Sequence, residues 1–396
     1  MDAINHRAIE REIQQGFQEH QIGSITQCVE PITYPFTLEW LKDRFNESAE
    51  IQGIPVERDG IVVGVIGRSA LDRISENWRG QIREKELSLA IGEKPRYLHG
   101  DDSIDRVFDE IVQAGSAHIP EFFCVIDRNS FMGFVSFEQI LRRVNELRNI
   151  DMDKAKEVQE YLLSRAIQTD ATISLRAFNR MAGRVGGDFY QSSLYAEGRR
   201  RCVACFDVSG KGLSAALTTT IVGAFFTALG QLVSQVRDPA AITRMLDAFV
   251  RELSPEGTYV AAAIGYLDLE AKKVLIQNCG LCPVFILMPK EQGHAVKLLK
   301  PHLPPLGLGE LTSLKQTFVE VDFAPGLRIV MFTDGLTDMR DGDGYPFGEE
   351  RAQSLILDSR GQSAEEFVAL LDKTTSEYQK EARQVDDITV LDLRFS

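Results

Sequence analysis

Residues 201–217 read RCVACFDVSGKGLSAAL. After Arg201, residues 202–208 form an apolar run broken by a single acid, which is the pattern of a buried strand closing on Asp207. Gly210 and Gly212 then permit a sharp turn. From Gly212 to Val236 no charged residue occurs, a stretch longer than the roughly 20 residues that span a bilayer. Thr218, Thr219, Thr220, Thr227, Ser234 and Gln235 dilute it, and it follows an acid that needs water. The reading is therefore a buried core helix, with no membrane partner. A strand that ends on a carboxylate and passes through glycines into a helix sets the pattern for the C-terminal half.

Outward from it, β-like runs recur: SLYAEGRRRCVACFDV (193–208), TYVAAAIGYLDL (258–269), KVLIQNC (273–279), CPVFILM (282–288), LRIVMFTDG (327–335) and DDITVLDLRF (386–395). Helical segments at about 213–234, 238–253 and 363–382 separate them, which predicts a layered α+β domain over 171–396 with carboxylates at strand ends. Acids stand in glycine-bounded or strand-end settings at GGD (Asp188), FDVSGKG (Asp207), FTDG (Asp334) and VDDITV (Asp386 and Asp387). A dispersed aspartate set without histidine or thiolate suits Mg²⁺ or Mn²⁺, which prefer oxygen ligands and keep several waters. Two such metals activate water and neutralise charge on a phosphoryl group, so no covalent enzyme intermediate is needed. Gly186, Gly187, Gly210 and Gly212 let the backbone bend or approach closely beside these acids.

Composition narrows the partners. Acidic residues number 58 against 44 basic ones, a net charge of −14, which excludes a nucleic-acid partner because phosphate-backbone binding depends on Lys and Arg. The first residues, MDAINHRAIEREIQQ, carry charges throughout and lack an apolar export signal, so the expected location is cytoplasmic. Two CxxC pairs, Cys202 with Cys205 and Cys279 with Cys282, suggest a zinc site. In a strand, however, side chains three apart point to opposite faces, and core thiols are expected. The loop from Met339 to Glu350 imitates a calcium-binding EF-hand, but Met339 cannot ligate and Pro346 breaks the spacing, which leaves a hairpin turn. His6, His20, His99, His118, His294 and His302 are scattered, and none is assigned to catalysis.

The N-terminal part begins with a helix-favouring lead-in over 1–24 and then repeats itself. TLEWLKDRF (37–45) and IPVERDGIVVGVIGRSAL (54–71) are followed by SIDRVFDEIVQAG (103–115) and FFCVIDRNSFMGFVSFEQIL (122–141), each a helix, two strands about a turn, and a helix. Residues 25–145 resemble a CBS domain pair, an α/β module in which paired copies bind adenine nucleotides through a Thr or Ser and an Asp three residues on. Gly67 and Ala70 stand at those positions in the first copy and Ser136 and Gln139 in the second, so Ser136 is the candidate nucleotide contact. Over 139–164 the apolar residues Ile140, Val144, Leu147, Ala155, Val158 and Leu162 form a narrow stripe, which predicts a helical linker (146–170) that pairs with its twin in a homodimer.

AKEVQEYLLS (155–164), RVGGDFY (184–190), FDVSGKGLSAAL (206–217), PPLGL (304–308), PGLRIVMFTDGLTD (325–338), FG (347–348) and DDITVL (386–391) together resemble the SpoIIE and RsbU branch of the PPM metal-dependent protein phosphatases. The resemblance implies an αββα sandwich with two Mn²⁺ or Mg²⁺ ions between its sheets. It makes Asp207 the bridge between the ions, gives Asp188 and the Val208 carbonyl to one, and gives Asp334 and Asp386 to the other. Asp387, Gly187 and Gly210 would support the ligands from behind. It further implies a phosphoserine/phosphothreonine substrate on a protein, a STAS-domain anti-anti-sigma factor in partner switching. Two positions depart from the family pattern, Gln191 and Leu281, the latter replacing a histidine. The competing reading is a ligand- or partner-binding signalling scaffold with a degenerate phosphatase domain.

Overall fold

The computed structural model describes residues 14, 16–47, 51–70, 91, 95–115, 119–167, 173–232, 238–291, 293–309, 311 and 317–396. Most of the 1–24 lead-in, with His6 and His118, lies outside them. The chain divides into two compact units, Met1–Asp151 and Met152–Ser396. Among the described residues no helix is long and apolar enough to cross a membrane.

The N-terminal unit is duplicated in detail. In its first copy β1 (Ile32–Thr33), α1 (Leu38–Glu47), β2 (Gly53–Arg58) and β3 (Ile61–Gly67) follow one another, and in its second β4 (Tyr97–His99), α2 (Ile104–Gln113), β5 (Phe122–Asp127) and β6 (Ser130–Ser136). Each copy pairs its first two strands parallel and its last two antiparallel. The hairpins turn at Asp59–Gly60 and Arg128–Asn129, all at positive φ, the two-residue geometry that matches strand twist. Even the register shift recurs, at Val56/Glu57 and at Val125/Ile126. Leu41, Phe45, Ile54 and Val56 fill one core, and Ile104, Val107, Phe123 and Val125 the other.

A long helix, α3 (Phe137–Arg165), follows β6. It starts nine residues before the expected linker. Ser136 accepts from Gln139 N at 3.1 Å while Gln139 Oε1 accepts from Ser136 N at 2.8 Å, a reciprocal capping box that opens the helix. The polar pair that suggested a nucleotide contact is thus occupied in starting α3. The stripe expected to pair helices also divides: Ile140 and Val144 are 0% exposed in the N-terminal unit's core, whereas Val158 is 56% exposed. Val144 is therefore not available to a twin.

The C-terminal unit contains β7 (Ile173–Arg180), β8 (Asp188–Tyr195), β9 (Arg200–Val208), α4 (Leu213–Leu232), α5 (Pro239–Leu253), β10 (Val260–Asp268), β11 (Lys273–Cys279), β12 (Val284–Pro289), β13 (His294–Leu299), β14 (Val319–Asp322), β15 (Arg328–Phe332), α6 (Gly335–Asp338), α7 (Gly348–Asp358), α8 (Ala364–Gln379) and β16 (Ile388–Phe395). Two five-stranded sheets form, ordered β14-β11-β10-β9-β8 and β13-β12-β15-β16-β7, with antiparallel pairing throughout. Strand alternation assigns the layers. Val203, Cys205, Ala263, Ile286, Ile329, Met331, Leu391 and Leu393 meet between the sheets. Cys202, Ala204 and Phe206 face outward onto Val222, Phe226, Leu246 and Val250 of α4 and α5. Phe285, Val330 and Val390 face α7 and α8 through Ile356, Phe367 and Leu371. The result is helices, sheet, sheet, helices, a mixed α+β sandwich.

The same alternation separates the thiols, with Cys202 in the outer core and Cys205 in the inner. Burial pushes the Cys205 thiol up, and that of Cys279 up to about 12. Thiolate is the metal-binding form, so after dialysis against a chelator elemental analysis is expected to return no stoichiometric zinc. Zinc retained at one per chain would contradict this. The EF-hand look-alike is a tight turn in which Asp341 Oδ1 accepts from Asp343 N and Tyr345 N, and Arg340 bridges antiparallel to Pro346.

Candidate active site

Asp188 opens β8 and Asp207 nearly closes β9, and the two are directly opposed cross-strand partners. Asp207 shares the parity of Val203 and Cys205, so both carboxylates belong to the inner face at one end of their sheet. In the facing sheet β15 runs out into Thr333 and Asp334, while Asp386 and Asp387 lead into its neighbour β16; Thr333 N donates to the Thr389 carbonyl at 3.0 Å. The Thr333 hydroxyl joins the sheets, donating to Asp188 Oδ2 at 2.7 Å. Chain segments more than a hundred residues apart are thereby gathered at one end of the sandwich.

The turn before Asp188 is held from two sides. Asp387 accepts from Ala182 N and Gly187 N, each at 2.7 Å. A Cβ at Gly186 would lie 2.4 Å from Asp387 Oδ2, and one at Gly187 would lie 3.0 Å from the Val208 carbonyl, so these glycines provide close approach. From the other side comes Gln159 of α3, 2% exposed. Its Nε2 donates to the Gly186 carbonyl at 2.7 Å and to Thr219 Oγ1 at 3.2 Å, and its Oε1 accepts from Gly186 N at 3.0 Å. Both polar groups of the Gly186 backbone are therefore satisfied by one side chain. Gly210 differs from these glycines: nothing lies near its Cβ position, but its φ is +94°, a conformation other residues resist.

Crowding shapes the electrostatics. Burial and then the charge of Asp207 push the Asp188 carboxyl well above the usual range, against the hydroxyl of Thr333. Burial, then the charges of Asp334, Asp386 and Asp387, push Asp207 up to about 7. Asp334 is raised by burial and by Asp386. Carboxylates that repel one another in a desolvated site are a store of unfavourable energy that a cation relieves.

The donor set, four carboxylates and the Val208 carbonyl, is all oxygen and fits a hard divalent cation. Among the described residues no three acidic, histidine or cysteine side chains stand in a metal-holding arrangement; Asp188 accepts from Thr333 and Asp386 from Lys211. A cation would have to draw these oxygens together. The two departures from the family pattern lie apart from the donors' hydrogen bonds: Leu281 packs in the inter-sheet core and Gln191 donates to Ser193.

Sequence reasoning missed Gln159, Thr333 and Lys211 as members of this end of the fold. Gln159 had a signal, being an uncharged polar residue four after Ala155 and four before Leu163, on one helical face. Thr333 stands beside Asp334 in FTDG and is hidden by it.

Comparisons with known proteins agree with this architecture. Residues 197–396 match the family Stage II sporulation protein E (SpoIIE); the turn carrying Asp188 lies upstream of the matched span. The phosphoserine phosphatase RsbU of Bacillus subtilis is 23% identical over 256 residues, 65% of this chain and 73% of RsbU. Protein IcfG of Synechocystis is 21% identical over 272 residues, 62% of this chain and 41% of IcfG. Among solved structures, the SiaA-PP2C domain of Pseudomonas aeruginosa is 27% identical, with a TM-score of 0.54 over 64% of this chain and 98% of that domain. With more than half of its length matched and the carboxylates gathered where the two sheets end, the chain belongs to the SpoIIE family and is a protein serine/threonine phosphatase.

Proposed function

We propose that the C-terminal unit hydrolyses phosphoserine or phosphothreonine on a protein, using two Mn²⁺ or Mg²⁺ ions. Asp207 would touch both ions, Asp188 and the Val208 carbonyl would serve one, and Asp334 with Asp386 would serve the other. The observation that carries this reading is the direct opposition of Asp188 and Asp207 on an inner sheet face, with Asp334 and Asp386 close enough to raise Asp207. When bound, such ions activate water and neutralise charge on the phosphoryl oxygens. The chain's own residues do the rest. Thr333 fixes one Asp188 oxygen, Asp387 and Gln159 fix the turn before it, and Gly187 brings the Val208 carbonyl close. Retention of every expected donor opposes the scaffold reading.

RsbU is named a phosphoserine phosphatase, and by resemblance the substrate here is a phosphorylated STAS-domain anti-anti-sigma protein. The test is manganese-dependent phosphate release by the full chain from such a protein beside a generic phosphoserine peptide. Release from the STAS protein alone or in large excess supports the reading; equal release from both removes the substrate assignment, and none from either returns the scaffold.

The N-terminal duplication fits a CBS-like sensor pair over 25–145. An adenine nucleotide would enter the cleft of about 450 Å³ lined by Gln52, Arg68, Phe122 and Ser136. We assign the homodimer to the exposed residues of α3, Val158 and Tyr161. Val158→Glu would place a charge without a partner in a helix pair, which typically costs several kcal/mol. Sedimentation velocity should show a monomer with altered turnover; a folded variant that stays dimeric with wild-type turnover contradicts the assignment.

A further inference from the structure

Lys211 stands between Gly210 and Gly212, both at positive φ, +94° and +71°. Its Nζ donates to Asp386 Oδ2 at 2.8 Å and to the Val385 carbonyl. This contact ties the turn after β9, in one sheet, to the segment entering β16, in the other. The side chain is 63% exposed, so the ammonium can leave Asp386 without opening any packed core. Its charge acts on the whole cluster. Besides the Asp386 carboxylate it holds, the ammonium stands within electrostatic reach of Asp207, Asp334 and Asp387.

We propose that Lys211 is an internal competitor of the divalent cation: its ammonium holds the Asp386 oxygen that a metal would take, and so it sets the metal affinity of the Asp334–Asp386 side of the centre. This rests on the assignment of Asp386 as a ligand. A lysine ammonium is a compact point charge on a flexible stem, suited to holding a carboxylate and yielding it. Competition follows from two facts. The oxygen cannot serve the ammonium and a metal equally, and a retained positive charge a few ångströms away repels an arriving dication. Because the pair is partly exposed, the effect is moderate, roughly tenfold in metal affinity, and is weakened by salt.

The test is a manganese titration of the full chain without substrate, followed by calorimetry, for wild type, Lys211→Met, Lys211→Arg and Asp386→Asn, with melting curves in chelator to establish folding. Lys211→Met should bind the weaker manganese ion about tenfold more tightly, the gap closing as salt rises toward about 1 M. Lys211→Arg should remain near wild type. If Lys211→Met binds no more tightly than wild type while Asp386→Asn loses affinity, Lys211 does not compete and the ligand assignment stands. If Asp386→Asn binds like wild type, Asp386 is not a ligand, and the proposal falls with that assignment.

Discussion

Asp207→Asn is expected to lower manganese-dependent phosphate release by about a thousandfold or more and, in chelator at neutral pH, to raise the melting temperature. The first effect follows from its position. If Asp207 is the carboxylate shared by two ions, as proposed, a neutral amide there would lose charge at both, and three decades of rate correspond to about 4 kcal/mol of barrier. The second follows from linkage. The folded carboxyl titrates near 7 rather than near its ordinary 3.8, so the native state binds this proton more tightly than the unfolded chain. The resulting stability is fully present below about pH 4 and is lost as pH rises through 7. Asparagine does not ionise and loses nothing over that window. The variant should therefore melt with wild type near pH 4 and above it near pH 8, by about 1–3 kcal/mol after allowance for solvent. Calorimetric melts at the two pH values check this. A variant that melts below wild type at pH 8, or that retains turnover, contradicts the account of Asp207.

Gln159→Ala should reduce turnover by about 10- to 100-fold although Gln159 is neither acid, base nor metal ligand. Removing the side chain leaves the Gly186 N–H and carbonyl without partners in a buried site, at about 1–3 kcal/mol for each group left unsatisfied. It also frees the Gly186–Gly187–Asp188 turn on the side that Asp387 does not hold. Loss of partners that orient a ligand typically costs 10- to 100-fold in metal affinity or activity. The discriminating measurement is the manganese dissociation constant beside the melting temperature. A purely structural role lowers the melting temperature and leaves manganese affinity unchanged; a positioning role weakens both.

Much of this was legible in the sequence, for identifiable reasons. The layered α+β domain showed because strands buried on both faces read as apolar runs, and their closing aspartates stand out against valine and isoleucine; the sandwich arrangement came only from the family resemblance. Alternation alone separated Cys202 from Cys205. Elsewhere two physical causes produce one pattern, and the sequence does not choose between them. Ser136 and Gln139 match a ligand-contact spacing, but Ser-x-x-Gln is equally a helix start, and α3 uses it so. Val144 and Val158 share a stripe, yet periodicity records only that a face is apolar and not what covers it. The helix Gly348–Asp358 was missed because its charged first turn, GEER, hides the buried Ala352 and Ile356. Thr333 and Lys211 could not be found by pattern, since each acts across from one sheet to the other.

Anomalous diffraction from crystals of the full chain grown with manganese would show whether Asp188, Asp207, Asp334 and Asp386 form one metal centre. Two peaks are expected at the shared end of the sheets, both within coordination distance of the Asp207 carboxylate, one also reached by Asp188 and the other by Asp334 and Asp386. Saturating manganese that leaves no peak at Asp207, or places its peaks on ligands other than these four aspartates and the Val208 carbonyl, would contradict that assignment.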